Sequence, residues 1–240
     1  MESPVINEGI DIYVSLVWLF SIIITFLMLL LCYLYLTMKK IRERELFNFN
    51  FSNLVIEGLE TERLRISREL HDTVLPLVRN SEVSDIIRSI CKDLMPPDFS
   101  RLSIIDLFTQ ICTQFTQRSG IECVCFTEDN LDFSSISAEN QLHIYRMVQE
   151  SLNNIEKHSG TEKAVFIARR LHESILLLIS DEGVGLKDFS FANEGLGMRS
   201  IRQRAAIIGA KLDFISDSEN GLMVRIEIPI IKQNTEIPND

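Results

Sequence analysis

At 240 residues the chain has room for one mid-sized α/β domain, a helical connector and a membrane segment, and little else. Its 34 acidic residues against 24 basic ones leave a formal charge of -10, which argues against a direct nucleic-acid-binding role. The five cysteines (Cys32, Cys91, Cys112, Cys123, Cys125) are odd in number and scattered, without zinc-ligand spacing, and read as reduced thiols buried in a cytosolic domain.

The first element is an apolar run. Ile12 to Met38 holds no Asp, Glu, Lys, Arg or His over 27 residues. As a helix that run reaches about 40 Å, enough to cross a hydrocarbon core of about 30 Å with some tilt. Trp18, Tyr33 and Tyr35 lie toward its ends, as interfacial aromatics do. The run is too long for a signal peptide, and neither a preceding basic residue nor a small-residue cleavage site accompanies it. No Lys or Arg precedes Lys39, whereas Lys39, Lys40, Arg42 and Arg44 follow at once. The positive-inside rule therefore predicts a single-pass span of the cytoplasmic (inner) membrane, with residues 1–11 outside and the rest in the cytoplasm. So short an outer segment leaves no room for a sensing domain.

A connector helix is expected from the span to about residue 75. Ile56, Leu59, Ile66, Leu70 and Leu77 follow a 3-4 alternation, with Arg63 and Thr73 at the remaining seam positions, a short heptad register suited to a parallel helix pair. Within it Glu62 to Asp72 (ERLRISRELHD) is a helix-forming run that places His71 one residue off the seam. Asn80-Ser81 marks a turn, and a short helix follows over 84–95, broken by Pro96-Pro97. A third helix spans 103–118, capped by Ser103 and Asp106 and stopped by Gly120.

Downstream the pattern alternates. Strands are expected at 121–127, 163–170, 174–180, 211–216 and 222–229, with helices at 138–157 and 197–208, so that helices pack on one face of a mixed sheet. On the 138–157 helix, at about 100° per residue, Glu150, Asn154, Lys157 and His158 share one quadrant of the surface. Tyr145, Val148, Leu152 and Ile155 fall opposite, and an ordinary amphipathic helix would show the same division. Oxygen ligands such as Glu150 and Asn154 suit a hard ion like Mg²⁺, and Lys157 and His158 can meet phosphate charge. Asp181 closes an Ile/Leu-rich strand and opens Asp-x-Gly-x-Gly with Gly183 and Gly185. Its carboxylate can accept a hydrogen bond from the exocyclic amine of adenine. Gly195 and Gly197 then open a helix whose N-terminal amides form an anion site. His143 and His172 have no partner motif and read as structural.

These motifs, in this order, resemble the ATP-binding domain of sensor histidine kinases, within the superfamily that includes gyrase, Hsp90 and MutL. Glu150 and Asn154 look like the family's Mg²⁺ box, Asp181 like its adenine-reading Asp, and Gly183, Gly185, Gly195 and Gly197 like its nucleotide-lid glycines, with the lid over about 184–195. Gly221 to Pro229 is similar to the family's closing strand. The Glu62 to Asp72 run resembles the phosphoacceptor segment of the NarX/DesK-type subfamily, and Asp93-Leu94-Met95-Pro96-Pro97 its link into the ATP domain. The resemblance covers about residues 55 to 230. It implies an α+β chain with an N-terminal transmembrane helix (12–38), a connector and truncated dimerisation hairpin (39–98), a Bergerat-type α/β sandwich (99–232) and a tail (233–240).

What the resemblance implies chemically is ATP as phosphoryl donor with Mg²⁺ held through Asn154 and Glu150, and His71 as acceptor assisted by Asp72. The implied partners are a second copy of the chain and the aspartate of a separate response regulator, of the LuxR/NarL type. Two departures stand out. His71 to Pro96 is several helical turns shorter than the subfamily's spacing. Pro76 occupies a position where phosphatase-competent relatives often carry Gln. An anti-sigma-type Ser/Thr kinase shares the ATP domain but has no use for the 62–72 run, and a catalytically silent ATP-binding scaffold is the other alternative.

Overall fold

A computed structural model describes residues 4–185, 195–217 and 221–230; side chains at 4–15, 45, 48 and 217 are outside the description. The chain divides into two compact units, residues 1–54 and 55–240.

The first unit is helical, formed by the N-terminal part of α1 (Pro4–Glu69). An 18-residue window there has mean hydropathy 2.6, and the side chains from Leu16 to Met38 are almost all exposed. Among the described residues this is one helix long and apolar enough to cross a bilayer.

In the second unit α1 does not run smoothly to its end. After Glu69 the backbone widens into a π turn, Leu70–Val74, closed by Leu75 N–H donating to Leu70 O, and then tightens into a 3₁₀ turn, Leu75–Leu77. Pro76 accounts for both changes. It has no N–H to give, and its ring would strike the carbonyl of Asp72, four residues back. The helix expected to reach 75 therefore leaves α geometry at 69. Asn80 caps α2 (Ser81–Leu94), its side chain accepting from Glu82 N and Val83 N, so that helix begins three residues earlier than its apolar pattern suggests. Ser67 and Cys91 tie α1 to α2: Ser67 Oγ donates to Cys91 O at 3.0 Å, buried.

A reciprocal capping box of Ser103 and Asp106 starts α3 (Ile104–Ser119), and left-handed Gly120 ends it. β1 (Glu122–Thr127) is followed by α4 (Ala138–His158), β2 (Lys163–Leu171), β3 (Ser174–Asp181), α5 (Leu196–Ile207), β4 (Lys211–Asp217) and β5 (Gly221–Pro229). The sheet order is β1-β2-β3-β5-β4, with β1 and β2 parallel and every other pair antiparallel. The parallel pair requires a crossover, which α4 supplies. α3, α4 and α5 contact β1, β3 and β4 respectively, so one sheet face carries the helices. Alternate residues Ala164, Phe166 and Ala168 of β2 are fully buried against them. Phe108 sits at the centre, its ring 5.0 Å from Phe166 and 6.0 Å from Phe133.

Candidate nucleotide site

The 3.6-residue period of α4 buries Val148, Leu152 and Ile155 in the core and turns Glu150, Asn154, Lys157 and His158 the other way. Those four residues form one wall of a cavity of about 360 Å³. Asp181 and Gly185, at and after the end of β3, contribute to a second wall; Gly195, Leu196, Gly197 and Met198, at the start of α5, form a third. Motifs separated by up to 47 positions thus converge on one space, since the sheet ends, the α4 face and the α5 N-terminus meet there.

Close approach explains two of the glycines. Gly197 lies against the Glu150 and Asn154 side chains: a Cβ there would overlap Glu150 Oε1 and come within 2.9 Å of Asn154 Oδ1. Glycine leaves that volume free in front of two oxygen donors, a set that suits a hard cation. Gly183 is not part of the cavity wall. A side chain on it would run into the carbonyl of Ser159, which instead accepts from Val184 N at 2.9 Å, so Gly183 joins the turn after β3 to the end of α4. Residues 186–194, most of the expected lid, lie outside the described residues.

Asp181 is buried. Burial pushes its carboxyl above the ordinary value, against the pull of the Gly183 and Leu222 amides; Gly183 N–H donates to Oδ1 at 2.8 Å. Two backbone donors fix the carboxylate's direction, which is what a base-reading acceptor requires.

Several wall residues escape the sequence patterns. Ile155, Ser159, Leu196, Met198 and Leu222 line the cavity, and Gly221, with φ +76, packs against the Asp181 backbone and carboxylate. Ser159 follows His158 directly, and Leu222 follows the turn glycine that opens β5. Adjacency was the available signal for both.

His71 and Asp72 sit elsewhere in the second unit, in the π turn, and no residue of 55–95 lines the cavity. Both side chains are well exposed, and His71 Nδ1 is 2.9 Å from Asp72 Oδ1. The Nδ1–H tautomer of the ring is the one that donates to the carboxylate in this contact, and that tautomer keeps its lone pair on Nε2. The heptad seam is divided: Leu59, Ile66 and Leu77 are exposed, while Ile56 is buried within the chain.

No family model matches the chain. Among curated proteins it is 26% identical over 221 residues to the oxygen sensor histidine kinase NreB of Staphylococcus carnosus, covering 79% of this chain and 62% of that protein. It is 28% identical over 208 residues to the sensor histidine kinase MctS of Rhizobium johnstonii, covering 73% and 44% respectively. Its homologues are sensor histidine kinases. Similarity to a third such kinase, LiaS of Bacillus subtilis, is 23% over 205 residues, covering 73% of this chain and 56% of that one. The chain thus spans about half the length of the sensor histidine kinases it matches. A solved histidine kinase domain, from the blue-light activated kinase of Erythrobacter litoralis EL346, superposes with a TM-score of 0.50 at 19% identity, covering 69% of this chain and 95% of that domain. The second unit thus shares its fold with that solved histidine kinase domain.

His143 lies outside the cavity wall. His143 is buried beside Arg204, its Nδ1 3.1 Å from Arg204 Nη1; burial, then the guanidinium, hold its pKa below the ordinary value. The cysteines are all free, but only Cys91 and Cys112 are buried; Cys32 is exposed and Cys123 and Cys125 are half-buried. Among the described residues no group of His, Cys, Asp and Glu is arranged to hold a metal ion by itself.

Proposed function

We propose that the chain is a membrane-anchored sensor histidine kinase that phosphorylates His71 from ATP and passes the phosphoryl group to a response-regulator aspartate. The observation that carries this reading is the convergence of Glu150, Asn154, Lys157, His158, Asp181, Gly185, Gly195 and Gly197 on one cavity. Asp181 would receive the adenine amine. Lys157, His158 and the amides at the α5 N-terminus would receive phosphate oxygens. Asn154 and Glu150 would hold Mg²⁺, which when bound with the nucleotide neutralises phosphate charge.

The acceptor chemistry follows from the His71–Asp72 contact. His71 Nε2 attacks the γ-phosphorus, the N–P bond forms, and the bond from phosphorus to the β–γ bridging oxygen breaks, with ADP leaving. The Nδ1 proton of the resulting imidazolium passes to Asp72, leaving a phosphohistidine whose ring is neutral and whose phosphoryl group carries the negative charge. Because no residue of 55–95 lines the cavity, transfer requires the donor domain to move toward an acceptor. The exposed Leu59, Ile66 and Leu77 of the first helical stretch and Val83, Ile86 and Ile90 of α2 supply apolar surface for a homodimer. The apolar helix and the basic residues after it support a single-pass inner-membrane anchor with the N-terminus outside. A LuxR/NarL-type regulator is the proposed recipient.

The experiment is incubation of the full chain, in detergent, with γ-labelled ATP. Label that is acid-labile, alkali-stable and lost in His71→Gln supports the reading; acid-stable label on serine overturns it. The separation of His71 from the cavity favours one second reading, a nucleotide-binding scaffold. ATP binding with no label on His71, alone or beside a related kinase, would establish that alternative.

A further inference from the structure

Eleven positions before His71, the carboxylate of Glu60 reaches into the ATP-binding domain. Its Oε1 accepts from Arg204 Nη2 at 2.6 Å, and its Oε2 lies 3.1 Å from Arg146 Nε and 3.0 Å from Arg146 Nη2. The arginine side chains are 2% and 3% exposed and that of Glu60 15%, so the three charges meet away from water. Burial alone would raise the Glu60 pKa, but Arg146 and Arg204 outweigh it and the carboxyl is held below its ordinary value.

The two arginines are placed on the helices that wall the cavity. Arg146 stands one turn before Glu150 on α4, and Arg204 stands two turns after Gly197 on α5. Glu150 also adds to the charge felt by Arg204. Ile56, one turn before Glu60 on the same face of α1, is fully buried. Arg63, one turn after Glu60, acts against both arginines by like charge, so the contact depends on Glu60 for its compensation. Hence α1 holds the cavity-walling helices at a point about 16 Å along its axis from His71.

We propose that Glu60 is a positioning residue: it latches α4 and α5 to the acceptor-bearing helix in a resting arrangement, and the latch must open before the donor reaches a His71. This rests on the histidine kinase reading above, and it assigns to that reaction a residue outside both the cavity and the acceptor turn. The latch can open without unfolding the domain. Arg146 keeps Gln149 Oε1 at 2.7 Å and the carbonyls of Asp93 and Leu94 at 3.0 and 2.8 Å, and Arg204 keeps His143.

The test uses the full chain in lipid nanodiscs, comparing wild type, Glu60→Gln and, as control, the exposed Glu57→Gln. In Glu60→Gln the initial rate of His71 labelling at saturating ATP should rise roughly fivefold or more, while the affinity for a non-hydrolysable ATP analogue stays unchanged. Amide hydrogen exchange over 55–69 should accelerate in that variant, with the α4 segment unaltered; Glu57→Gln should match wild type throughout. An unchanged or lower rate at intact affinity, or a fall in affinity, overturns the latch. If wild type itself gives no phosphohistidine, the kinase reading fails. The exchange arm still decides the contact: acceleration at 55–69 in Glu60→Gln supports it and its absence overturns it.

Discussion

Gly197 stands directly against the carboxylate of Glu150, so close that any β-carbon at 197 would occupy the oxygen's place. Gly197 is the second residue of α5 and its φ is not positive, so its backbone accepts alanine. The atoms in the way, Glu150 Oε1 and Asn154 Oδ1, are the ends of flexible side chains, so Gly197→Ala should displace them without unfolding the domain. The expected outcome is a melting temperature equal to or above wild type, together with a loss of Mg²⁺-ATP affinity of about tenfold or more, about 1.4 kcal/mol. Calorimetric titration beside a thermal melt separates the two effects. Retained affinity would remove Glu150 and Asn154 from the nucleotide contact.

Gly221 and Gly160 both adopt left-handed backbone, with φ +76 and +64, yet their surroundings differ. Alanine at either should lose roughly 1–2 kcal/mol from conformation alone. A Cβ at Gly160 would meet nothing within 4 Å, whereas at Gly221 it would enter the backbone of Asp181. Gly221→Ala should therefore be the more destabilising in a urea titration, and only it should also weaken ATP binding, because Asp181 must shift. Equal midpoints for the two variants would show that the β5 start does not support Asp181.

How far the sequence anticipates this geometry depends on whether a residue's role is set by its neighbours along the chain. The α4 face is periodic, so Glu150, Asn154, Lys157 and His158 are legible together, and all four line the cavity. The Ser103–Asp106 cap is likewise local, and it forms as its spacing requires. Gly183 shows the limit of motif reading. It lies within Asp-x-Gly-x-Gly, but its role is set by the carbonyl of Ser159, which sequence distance conceals. The π turn that follows α1 is not visible in the helical period either, although Pro76 is its local cause. Glu60 is less legible still: its partners are 86 and 144 positions away, and on a helix rich in Glu and Arg it looks like any solvated charge.

His143 gives the molecule a defined acid sensitivity. Its folded pKa lies below the ordinary histidine value of about 6.5, from burial first and the Arg204 charge second. Below that pH the unfolded chain takes up a proton that the folded domain does not, so stability is full above about 6.5 and falls as the pH drops through it. His143→Gln removes that proton uptake. Melts at pH 8, 7, 6 and 5.5 should show a shallower decline for the variant than for wild type. Parallel declines would assign the acid sensitivity to other groups.

Asp72 tests the acceptor chemistry most directly. The exposed side chains of His71 and Asp72 touch each other at 2.9 Å, so replacing Asp72 should not disturb packing. Asp72→Asn keeps a group of the same shape beside Nδ1 but removes the charge to which the proposed mechanism assigns stabilisation of the developing imidazolium and uptake of its proton. General-base assistance of this kind is worth about 10²–10⁴ in rate, so labelling of His71 at saturating ATP should fall by roughly a hundredfold or more with nucleotide affinity unchanged. Raising the pH should restore part of the rate as hydroxide takes over the proton. A rate within a few-fold of wild type would mean that Asp72 only orients the ring, and the proton would then have to leave from Nδ1 to solvent.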